Sequence, residues 1–454
     1  MHGAVDLPSQ TVPVVAEAEV VVLGGGPAGL SAAVAAARNG ADTLVVERFG
    51  CLGGMATVGL VGPFMTSYAG EEPVVEGLYL ELVERLVAAG GAVHPAGLHT
   101  GPYSNWNPIA HDHVTPFDPE VLKLVALRLA RESGVQLLLH STFVQPVGQL
   151  PERVEALVVA NKSGLQAVRG RLFVDASGDG DLAARAGAPF VYGRGDGLAQ
   201  PLTLFFVIAG VDTDRLIEWI EADLPNRHKL WRLIQEHREE WIATRDTFGM
   251  YLEPRRGELR INTTRVSGRD GTNAFDLTAA EADAREQSET VLRFLVKHVP
   301  GFARAYVASS AQTVGVRESR HVLGEYVLSG EDALAGRKFA DAIARCAYGV
   351  DLHDPRGTGT SMQAIGGDGS FDIPYRCLVP KAVDNLLVAG RAISGDHVAH
   401  AAYRVMPYCF ATGQAAGTAA ALCLREGVRP RDLHVPLLQG RLVEQGANLG
   451  GRPT

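Results

Sequence analysis

The chain has 454 residues, 46% hydrophobic content and a formal net charge of −9, which together indicate a globular protein of two or three domains and argue against a nucleic-acid-binding surface. No apolar run reaches the roughly 18 residues that span a bilayer, and residues 1–18 lack the basic start and apolar core of a signal peptide. The five cysteines are scattered without a C-x-x-C pair. This argues against a disulfide framework, a zinc site of standard spacing and a cysteine-ligated iron–sulfur cluster. We therefore expect a cytoplasmic protein without a metal.

A glycine-rich turn near the start of the chain lies between an apolar strand and an alanine-rich helix. The strand begins at about Val20, and Gly24, Gly26 and Gly29 follow in the spacing of the dinucleotide-binding fingerprint. Gly24 permits the sharp turn, Gly26 lets the backbone approach a pyrophosphate, and Gly29 lets the helix pack closely on the strand. We expect the pyrophosphate at the N-terminus of the helix over residues 28–39, where unpaired N–H groups and the helix dipole favour an anion.

An acidic residue follows the next predicted strand. Residues 43–46 form this strand and Glu47 comes directly after it, where its carboxylate is placed to accept hydrogen bonds from ribose hydroxyls. Strand, glycine turn, helix, strand and acid occur in the order of the fingerprint. Residues 19–60 are therefore predicted to form a nucleotide-binding βαβ unit.

Residues 116–190 continue the alternation of helices and strands. Asp118 as N-cap and Pro119 at the first helical position predict a helix that Gly134 ends. Further strands are predicted over residues 135–139, 142–144, 154–161 and 167–174. The last two form a hairpin that leads to the polar segment 175–181.

The pattern changes between about residues 200 and 355. Strands are predicted over residues 202–208 and 257–265, and charged helices over residues 213–245. Thr278 and Glu281 form a capping box before another predicted helix. Because this region has core residues of its own, we predict a second domain inserted into the first.

A buried strand over residues 386–389 is predicted to return the chain to the first domain. The last predicted helix begins at Pro407 and ends at Gly427, and it is rich in small residues such as Gly413 and Gly417. Small residues at three- and four-residue spacing allow close packing on a sheet or a cofactor.

Residues 47–59 resemble the isoalloxazine-binding loop of flavoproteins with the glutathione-reductase type of FAD domain. Ala56 and Val61 occupy the positions of the two redox cysteines in the disulfide reductases of that superfamily, so disulfide exchange is not expected. Residues 366–369 are glycine-rich but lack the strand and the helix of a second dinucleotide fingerprint. We therefore expect no built-in NAD(P)H domain, so that the substrate itself or a separate partner supplies the electrons.

Four sequence blocks together resemble the FAD-dependent oxidoreductase family, which is related to the fumarate reductase and succinate dehydrogenase flavoproteins. The blocks are residues 24–29 with 47–57, residues 173–182, residues 315–326, and residues 373–391 with 413–417. The resemblance covers most of the chain and implies FAD as the cofactor. It also implies an α/β fold, with a three-layer, Rossmann-like FAD-binding domain built on a parallel sheet and an inserted α+β substrate or cap domain.

The domain boundaries that we expect from this resemblance are discontinuous. The FAD-binding domain would comprise residues 17–66, 116–190 and 365–430. The cap domain would comprise residues 191–360 with a contribution from residues 67–115. Residues 1–16 and 431–454 are expected to be flexible or peripheral tails.

The fingerprint and the resemblance together imply a set of cofactor-binding residues. The strand end at Val144 would meet the adenine, Ser177 would lie near the AMP half, and Arg391 would bring a cation to the pyrophosphate or the ribityl chain. The N-terminus of the last helix would point at the flavin. The complete set is Gly24, Gly26, Pro27, Ala28, Gly29, Glu47, Arg48, Gly53, Gly54, Met55, Ala56, Thr57, Val144, Ala176, Ser177, Gly178, Gly390, Arg391, Val405 and Met406.

Polar residues between the flavin-side strand and the last helix are the strongest catalytic candidates. His397 and His400 could act as acid or base near neutral pH, while Tyr403 could donate or accept a proton. Arg404 could orient a carboxylate through two hydrogen bonds. Two alternatives stay open: His400 as a packing or capping residue, and a metal site formed by the two histidines with Asp396.

Arg317, Arg320 and His321 form a second polar cluster with catalytic potential. We hypothesise that they line the substrate entrance and bind an anionic or polar substrate. The alternative is an interdomain salt bridge with Glu318, Glu325 or Asp332.

Five further residues carry weaker signals. Asn262 and Arg265 are weaker candidates for the substrate site. His111 and His113 are interpreted as loop residues rather than metal ligands. Cys51 is either a reactive thiol near the flavin or a small packed residue.

Taken together, these features predict an FAD-dependent oxidoreductase that transfers a hydride between a small organic substrate and flavin N5. It would act as a dehydrogenase, an oxidase or a partner-fed reductase. A flavin monooxygenase is one alternative, since residues 175–181 are similar to the Asp-Gly segment of that class. A partner-dependent electron-transfer subunit is the other. Expected partners are a small-molecule substrate, a redox partner protein or oxygen as the acceptor, and a second copy of the chain in a homodimer.

Overall fold

The chain folds into alternating helices and strands, described by a computed structural model for Val5 and residues 9–107, 111–223, 229–243, 245 and 248–451. The α-helices of the described residues are α1 (Pro27–Arg38), α2 (Leu78–Ala88), α3 (Pro119–Glu132), α4 (Asp181–Arg185), α5 (Thr213–Glu221), α6 (Lys229–Glu236), α7 (Ala274–His298), α8 (Gly330–Leu334), α9 (His397–Tyr403), α10 (Met406–Glu426) and α11 (Val435–Glu444). The strands are β1 (Val14–Leu23), β2 (Thr43–Val46), β3 (Tyr68–Ala69), β4 (Glu72–Pro73), β5 (Gln136–Leu138), β6 (Thr142–Gln149), β7 (Arg153–Asn161), β8 (Gly164–Asp175), β9 (Phe190–Tyr192), β10 (Phe206–Ala209), β11 (Met250–Leu252), β12 (Leu259–Ile261), β13 (Tyr306–Ser310), β14 (Arg320–Val322), β15 (Ala342–Cys346), β16 (Val350–His353), β17 (Thr360–Gln363), β18 (Phe371–Pro374) and β19 (Leu386–Val388).

A seven-stranded sheet organises the first domain. Its strand order is β5-β2-β1-β8-β7-β6, and β19 also pairs with β8. Strands β5, β2, β1, β8 and β19 run parallel, whereas β7 and β6 form an antiparallel extension. Leu23, at the end of β1, pairs with Val46 and Asp175, and Asp175 pairs with Val388. Four parallel strands therefore end at one edge of the sheet, and the predicted α/β class with a Rossmann-like domain is confirmed.

Helices α1 and α10 pack against each other at backbone contact. A Cβ atom at Gly413 would lie 2.1 Å from the Ala28 carbonyl oxygen, and one at Gly417 would lie 1.9 Å from the Ala32 carbonyl oxygen. The small residues that the sequence places in α10 thus permit this close approach. Gly427 ends α10 with a positive φ of 67°, as predicted. In the described part of the chain, no helix is both long and apolar enough to cross a membrane.

A four-stranded antiparallel sheet organises the cap domain, in the order β11-β12-β10-β13. Phe206, Ile208, Ile261 and Phe294 are buried in the core between this sheet and the cap helices, separately from the core of the first domain. Trp106, from the segment 67–115, belongs to the same core. The inserted domain therefore has its own hydrophobic core, although β10 and β12 are shorter than the strands predicted from the sequence.

The predicted start of the long cap helix at Thr278 is wrong. Helix α7 begins one turn earlier, because the side chain of Asn273 accepts hydrogen bonds from the N–H groups of Phe275 and Asp276. The Thr278 hydroxyl lies inside the helix and donates to the Ala274 carbonyl oxygen.

Residues 320–353 pack differently from their assignment to the cap. Val322, Ile343 and Val350 are buried in the core of the first domain, and β14 pairs with β9 while β15 pairs with β18. Helix α11 also buries Leu438 and Leu442 in that core. The segment from β14 to β16 and helix α11 therefore contribute side chains to the core of the first domain.

Candidate active site

A cavity of about 610 Å³ extends from the edge where the parallel strands end to the cap domain. Its wall on the first-domain side contains most of the predicted cofactor residues. These are Gly24, Gly26, Pro27, Ala28, Glu47, Arg48, Gly54, Met55, Ala176, Ser177, Gly178, Gly390, Arg391, Val405 and Met406. The wall formed by residues 203–362 together with Arg404 is called here the cap-side wall.

The three positions of the first turn require glycine for different structural reasons. Gly24 has a φ of 96°, and a Cβ there would lie 2.4 Å from the Ala176 carbonyl oxygen. A Cβ at Gly29 would lie 1.7 Å from the Gly24 carbonyl oxygen. At Gly26, by contrast, a Cβ would meet only the Gly54 Cα atom, at 3.8 Å. Packing therefore explains the first and third glycines, while Gly26 leaves space at the cavity, as close approach of a pyrophosphate requires.

The N-terminus of α1 supplies the electrostatic part of this cradle. Gly26 is its N-cap, Pro27 occupies the first turn, and no described side chain caps the helix or places an acid in that turn. The dipole and the open N–H groups of a helix N-terminus favour an anion. The residues present therefore fit the pyrophosphate of FAD.

Arg391 adds a cation to the same region. Its Nη2 atom lies 3.0 Å from Asp179 Oδ1, and its buried Nη1 atom finds no hydrogen-bond partner among the described residues. Gly178 has a φ of 89°, and a Cβ there would lie 2.8 Å from Arg391 Nη2. Arg391 thus lies beside Gly178, and its Nη1 group keeps no partner among the described residues. This agrees with the predicted contact of Arg391 to an anionic group of the cofactor.

Glu47 holds the glycine turn through its carboxylate. Oε2 accepts from the Gly25 N–H at 2.6 Å, and Oε1 accepts from the Phe49 N–H at 2.8 Å. The side chain is buried and also lines the cavity. Glu47 is therefore part of the turn itself, and its hydrogen bonds to ribose hydroxyls stay a prediction.

Other predicted cofactor residues lie behind the wall. The Thr57 hydroxyl donates to the Leu52 carbonyl oxygen at 2.9 Å, and Gly53 has a φ of 104° with Thr57 directly beside it. These contacts, with Ala56 buried beneath them, shape the loop that presents Gly54 and Met55 to the cavity. Gly29 and Val144 are also outside the lining residues, and the carbonyl oxygen of Val144 accepts a hydrogen bond from Arg185.

The structure places His397, His400 and Tyr403 outside the cavity lining. Glu318 Oε1 lies 2.7 Å from His397 Nδ1 and 3.9 Å from His400 Nδ1. The Tyr403 hydroxyl donates to the Ile393 carbonyl oxygen at 3.1 Å. The three side chains therefore belong to a network around a fully buried carboxylate, and their catalytic role stays a prediction.

The pKa shifts of the residues in this network agree with side chains that are packed in the interior. Burial lowers the pKa of His400 well below its usual value, and the neighbouring His321 lowers it further. Burial raises the pKa of Tyr403 well above its usual value. Burial opposes ionisation of Glu318, yet the hydrogen bonds from His321 and His397 hold its pKa below the usual range. Asp396, considered above as a metal ligand, instead caps α9 by accepting from two backbone N–H groups.

Arg320 is also outside the cavity lining. Its Nη1 atom donates to the Asp179 carbonyl oxygen at 3.0 Å and to Asp181 Oδ1 at 2.9 Å. The guanidinium also lies over the Phe190 ring. Arg320 therefore makes an ion pair, although its partner is Asp181 rather than any of the three acids proposed from the sequence.

Arg317 and Arg404 do line the cavity. Arg404 Nη2 lies 3.1 Å from Asp351 Oδ2, and its buried Nε atom finds no hydrogen-bond partner among the described residues. Arg317 donates from Nη2 to the Thr203 hydroxyl at 3.0 Å and from Nη1 to the Pro201 carbonyl oxygen. The two predicted catalytic arginines therefore reach the cap-side wall from different parts of the chain.

Sequence reasoning missed a polar pair beside these arginines. Asp351 and His353 lie on β16 and both line the cavity. His353 Nε2 lies 3.2 Å from Asp351 Oδ2, and its Nδ1 lies 3.1 Å from the Thr360 hydroxyl. Two polar residues separated by one position point to the same side of a strand. This alternation was the signal that could have identified them.

The charges of this pair are set by their surroundings. Burial and the cation of Arg317 lower the pKa of His353 to about 3, so its ring is neutral at pH 7. Burial opposes ionisation of Asp351, but His353 and Arg404 hold its pKa well below the usual value. Burial also raises the pKa of Tyr348, whose hydroxyl donates to Asp351 Oδ2 at 3.3 Å.

The loop residue His111 also reaches the cavity wall. Its Nδ1 atom lies 3.2 Å from the Ser104 carbonyl oxygen, and its ring centroid lies 6.2 Å from that of Tyr348. Asn262 lines the wall as well, whereas Arg265 lies behind it and donates to the Asp354 and Gly359 carbonyl oxygens.

Comparisons with known proteins bear on the family and the fold of the chain. The model of the FAD dependent oxidoreductase family matches residues 19–442, and the comparison with curated proteins found no match. Among solved structures, p-nitrophenol 4-monooxygenase PnpA from Pseudomonas putida DLL-E4 aligns with a TM-score of 0.51 and 12% identity, over 95% of this chain and 85% of that chain. A geranylgeranyl bacteriochlorophyll reductase-like protein from Thermoplasma acidophilum aligns with a TM-score of 0.48 and 13% identity, over 95% and 84% of the two chains. At these identities the likeness concerns the fold alone.

Proposed function

Because the chain belongs to the FAD-dependent oxidoreductase family, it is an enzyme with FAD as its cofactor, and we propose that it transfers a hydride between a small organic substrate and flavin N5. One observation carries the proposal: a single cavity joins the glycine-turn cradle to the polar residues of the cap-side wall. When bound, FAD supplies the hydride acceptor or donor at N5. The residues of the chain must bind the cofactor, place the substrate and handle the accompanying proton.

The cofactor would be held at both ends of the first-domain wall. The N-terminus of α1 at Pro27 would hold the pyrophosphate, and Arg391 would neutralise an anionic group beside it. At the other end, Val405 is the N-cap of α10 without a side-chain cap among the described residues, and it lines the cavity with Met406. The dipole of this helix favours negative charge at that end, as the flavin ring requires when it gains electrons.

The substrate would lie between the flavin and the cap-side wall. Arg404 and Arg317 would hold it by hydrogen bonds, and Asp351 orients Arg404 for this contact. We assign the proton that accompanies the hydride to the hydrogen-bonded group of Asp351, His353 and Thr360, all of which line the cavity. His353 donates to Asp351 and accepts from Thr360, which fixes its ring orientation.

An anaerobic reduction experiment tests the function. The purified holoenzyme is mixed without oxygen with amines, alcohols, hydroxy acids, amino acids and NAD(P)H, and the visible absorption band of the flavin is followed. Bleaching by one small organic compound supports the proposal, because hydride then passes directly to the flavin.

Two results would overturn the proposed function. Bleaching by NAD(P)H with an aromatic compound present, followed by oxygen consumption and a hydroxylated product, would establish a monooxygenase instead. Reduction only by a separate redox protein, and by none of the small molecules, would establish an electron-transfer subunit.

A further inference from the structure

Cationic side chains outnumber carboxylates in the described lining of the cap-side wall. Lys229, Arg245, Arg317 and Arg404 all line it, and Asp351 is the carboxylate that the described residues place there. The other two acids of the lining, at residues 47 and 179, belong to the cofactor end and bind the glycine turn and an arginine there. Since His353 is neutral at pH 7, the two cations of Arg317 and Arg404 meet one carboxylate, that of Asp351, among the described residues of this wall.

The described partners of Arg317 and Arg404 compensate the charges of these two arginines only in part. Arg317 donates to a hydroxyl and to a carbonyl oxygen, which are neutral groups. Arg404 shares the carboxylate of Asp351 and keeps its buried Nε without a partner among the described residues. Buried charges are costly unless an opposite charge meets them, so this arrangement fits a ligand that brings a negative charge.

Electrostatics supports the same conclusion. Burial lowers the pKa of Arg317 well below its usual value, and the like charge of Arg404 lowers it further. An anion between the two guanidiniums would remove this repulsion. It would also weaken the effect by which Arg317 lowers the pKa of His353.

Aromatic side chains form another part of the cap-side wall. Trp219, Trp231, Phe205 and Phe248 line it. Trp106 lines the cavity beside them, with its indole Nε1 donating to Glu221 at 3.2 Å. Aromatic side chains bind flat apolar groups over a large area. The wall therefore offers an apolar surface next to a cationic one.

We propose that the substrate is a carboxylate with a flat, apolar body, whose carboxylate group lies between Arg317 and Arg404 and whose body contacts the tryptophans of the cap. This inference rests on the proposed function, since it names the substrate class of the same cavity. A guanidinium matches a carboxylate through two parallel hydrogen bonds. The proposal therefore predicts selection for charge as well as for an aromatic body.

Equilibrium binding of small probes to the full-length holoenzyme tests this assignment. The probes are phenylacetate, its neutral analogue phenylacetamide, acetate, and phenyl phosphate, all at constant ionic strength. Quenching of tryptophan fluorescence is one readout, because three of the four tryptophans of the chain line the cavity. The shift of the flavin absorption band is a second readout.

Phenylacetate is expected to bind at least tenfold more tightly than either phenylacetamide or acetate. Arg317→Gln should lower its affinity about tenfold or more, since glutamine can still donate to Thr203 but carries no charge. Arg404→Gln provides a second variant if the first one folds poorly, and Arg317→Lys should keep part of the affinity. Arg293→Gln is the matched control, because Arg293 is exposed on α7 and pairs only with Glu289 among the described residues.

Several results would overturn the inference. Equal or tighter binding of phenylacetamide, no binding of phenylacetate, or unchanged affinity in folded Arg317→Gln and Arg404→Gln would each do so. Tighter binding of phenyl phosphate than of phenylacetate would overturn the carboxylate assignment. A protein that carries no flavin would refute the proposed function, whereas the tryptophan signal would still report on the anion site by itself.

Discussion

Replacing Gly413 by alanine tests the packing that positions the cofactor cradle. A Cβ at this position would lie 2.1 Å from the Ala28 carbonyl oxygen, while real Cβ atoms stay beyond 3.0 Å. The backbone of α1 or α10 must therefore move by about 0.9 Å, because the contact is with backbone and not with a flexible side chain. Ala28 lines the cavity, so the movement would reach the first turn of α1.

The expected magnitude follows from two opposing terms. Overpacking of a core costs up to about 3 kcal/mol, and the higher helix propensity of alanine returns about 1 kcal/mol. Gly413→Ala should therefore lower the free energy of unfolding by about 2 kcal/mol and reduce the FAD content of the purified protein. Gly440→Ala is the control, because Gly440 lies in α11 with nothing within 4 Å of its Cβ position. That variant should gain up to about 1 kcal/mol.

Urea denaturation followed by circular dichroism measures both variants, and the flavin absorbance after gel filtration measures FAD retention. If Gly413→Ala matches the wild type in stability and in FAD content, the contact between α1 and α10 does not position the cradle. A loss of similar size in Gly440→Ala would show that the effect is not specific to this contact.

Two further predictions concern buried groups of the cavity wall. Glu47→Ala removes the acceptor of two backbone N–H groups, so FAD affinity measured by flavin fluorescence should fall about 10–100-fold, and an unchanged affinity would contradict the role of this carboxylate in the turn. His353 has a pKa of about 3 in the folded protein, which is below the value of about 6.5 in the unfolded chain. As the pH falls below about 6.5, the unfolded chain binds a proton that the folded protein does not, so the free energy of unfolding decreases. Between pH 7 and pH 5, urea denaturation should therefore show a loss that is about 2 kcal/mol smaller in His353→Gln than in the wild type, whereas equal losses would show that His353 is not buried in its neutral form.

Local sequence rules were sufficient for the glycine turn, for the start of α3 and for the end of α10. A Cβ atom at Gly24 or Gly29 would collide with the backbone, and Gly24 and Gly427 have a positive φ. The spacing of these glycines therefore predicted the turn and the helix end. Asp118 accepts from the Glu120 N–H as the predicted N-cap of α3. These features depend on a few neighbouring residues, which the sequence shows directly.

Competition between equally good local signals explains the shifted start of α7. Asn273 and Thr278 are both residues that cap helices, and each is followed three residues later by an acid. The chain uses Asn273, so that Glu281 is free to accept from the Val314 N–H at 2.6 Å. That contact joins residues distant in sequence, which local rules do not contain.

Long-range packing also decided which polar residues reach the cavity. His400 and Arg404 are one turn apart, yet His400 packs beside the buried Glu318 and Arg404 lines the cavity. Asp351 and His353 have no motif around them, and they became part of the site because β16 packs beside α9. The sequence supplied the residue types, but the tertiary contacts selected among them.

The rate of flavin reduction in an Arg404 variant tests the central claim most directly. In anaerobic stopped-flow mixing with the compound that bleaches the wild-type flavin, Arg404→Ala should retain its FAD and lower the reduction rate constant about 10–100-fold. Arg404→Lys should recover part of the rate, and Arg293→Gln should leave it unchanged. An unchanged rate constant in Arg404→Ala, with FAD still bound, would contradict hydride transfer against the arginine-lined wall of this cavity.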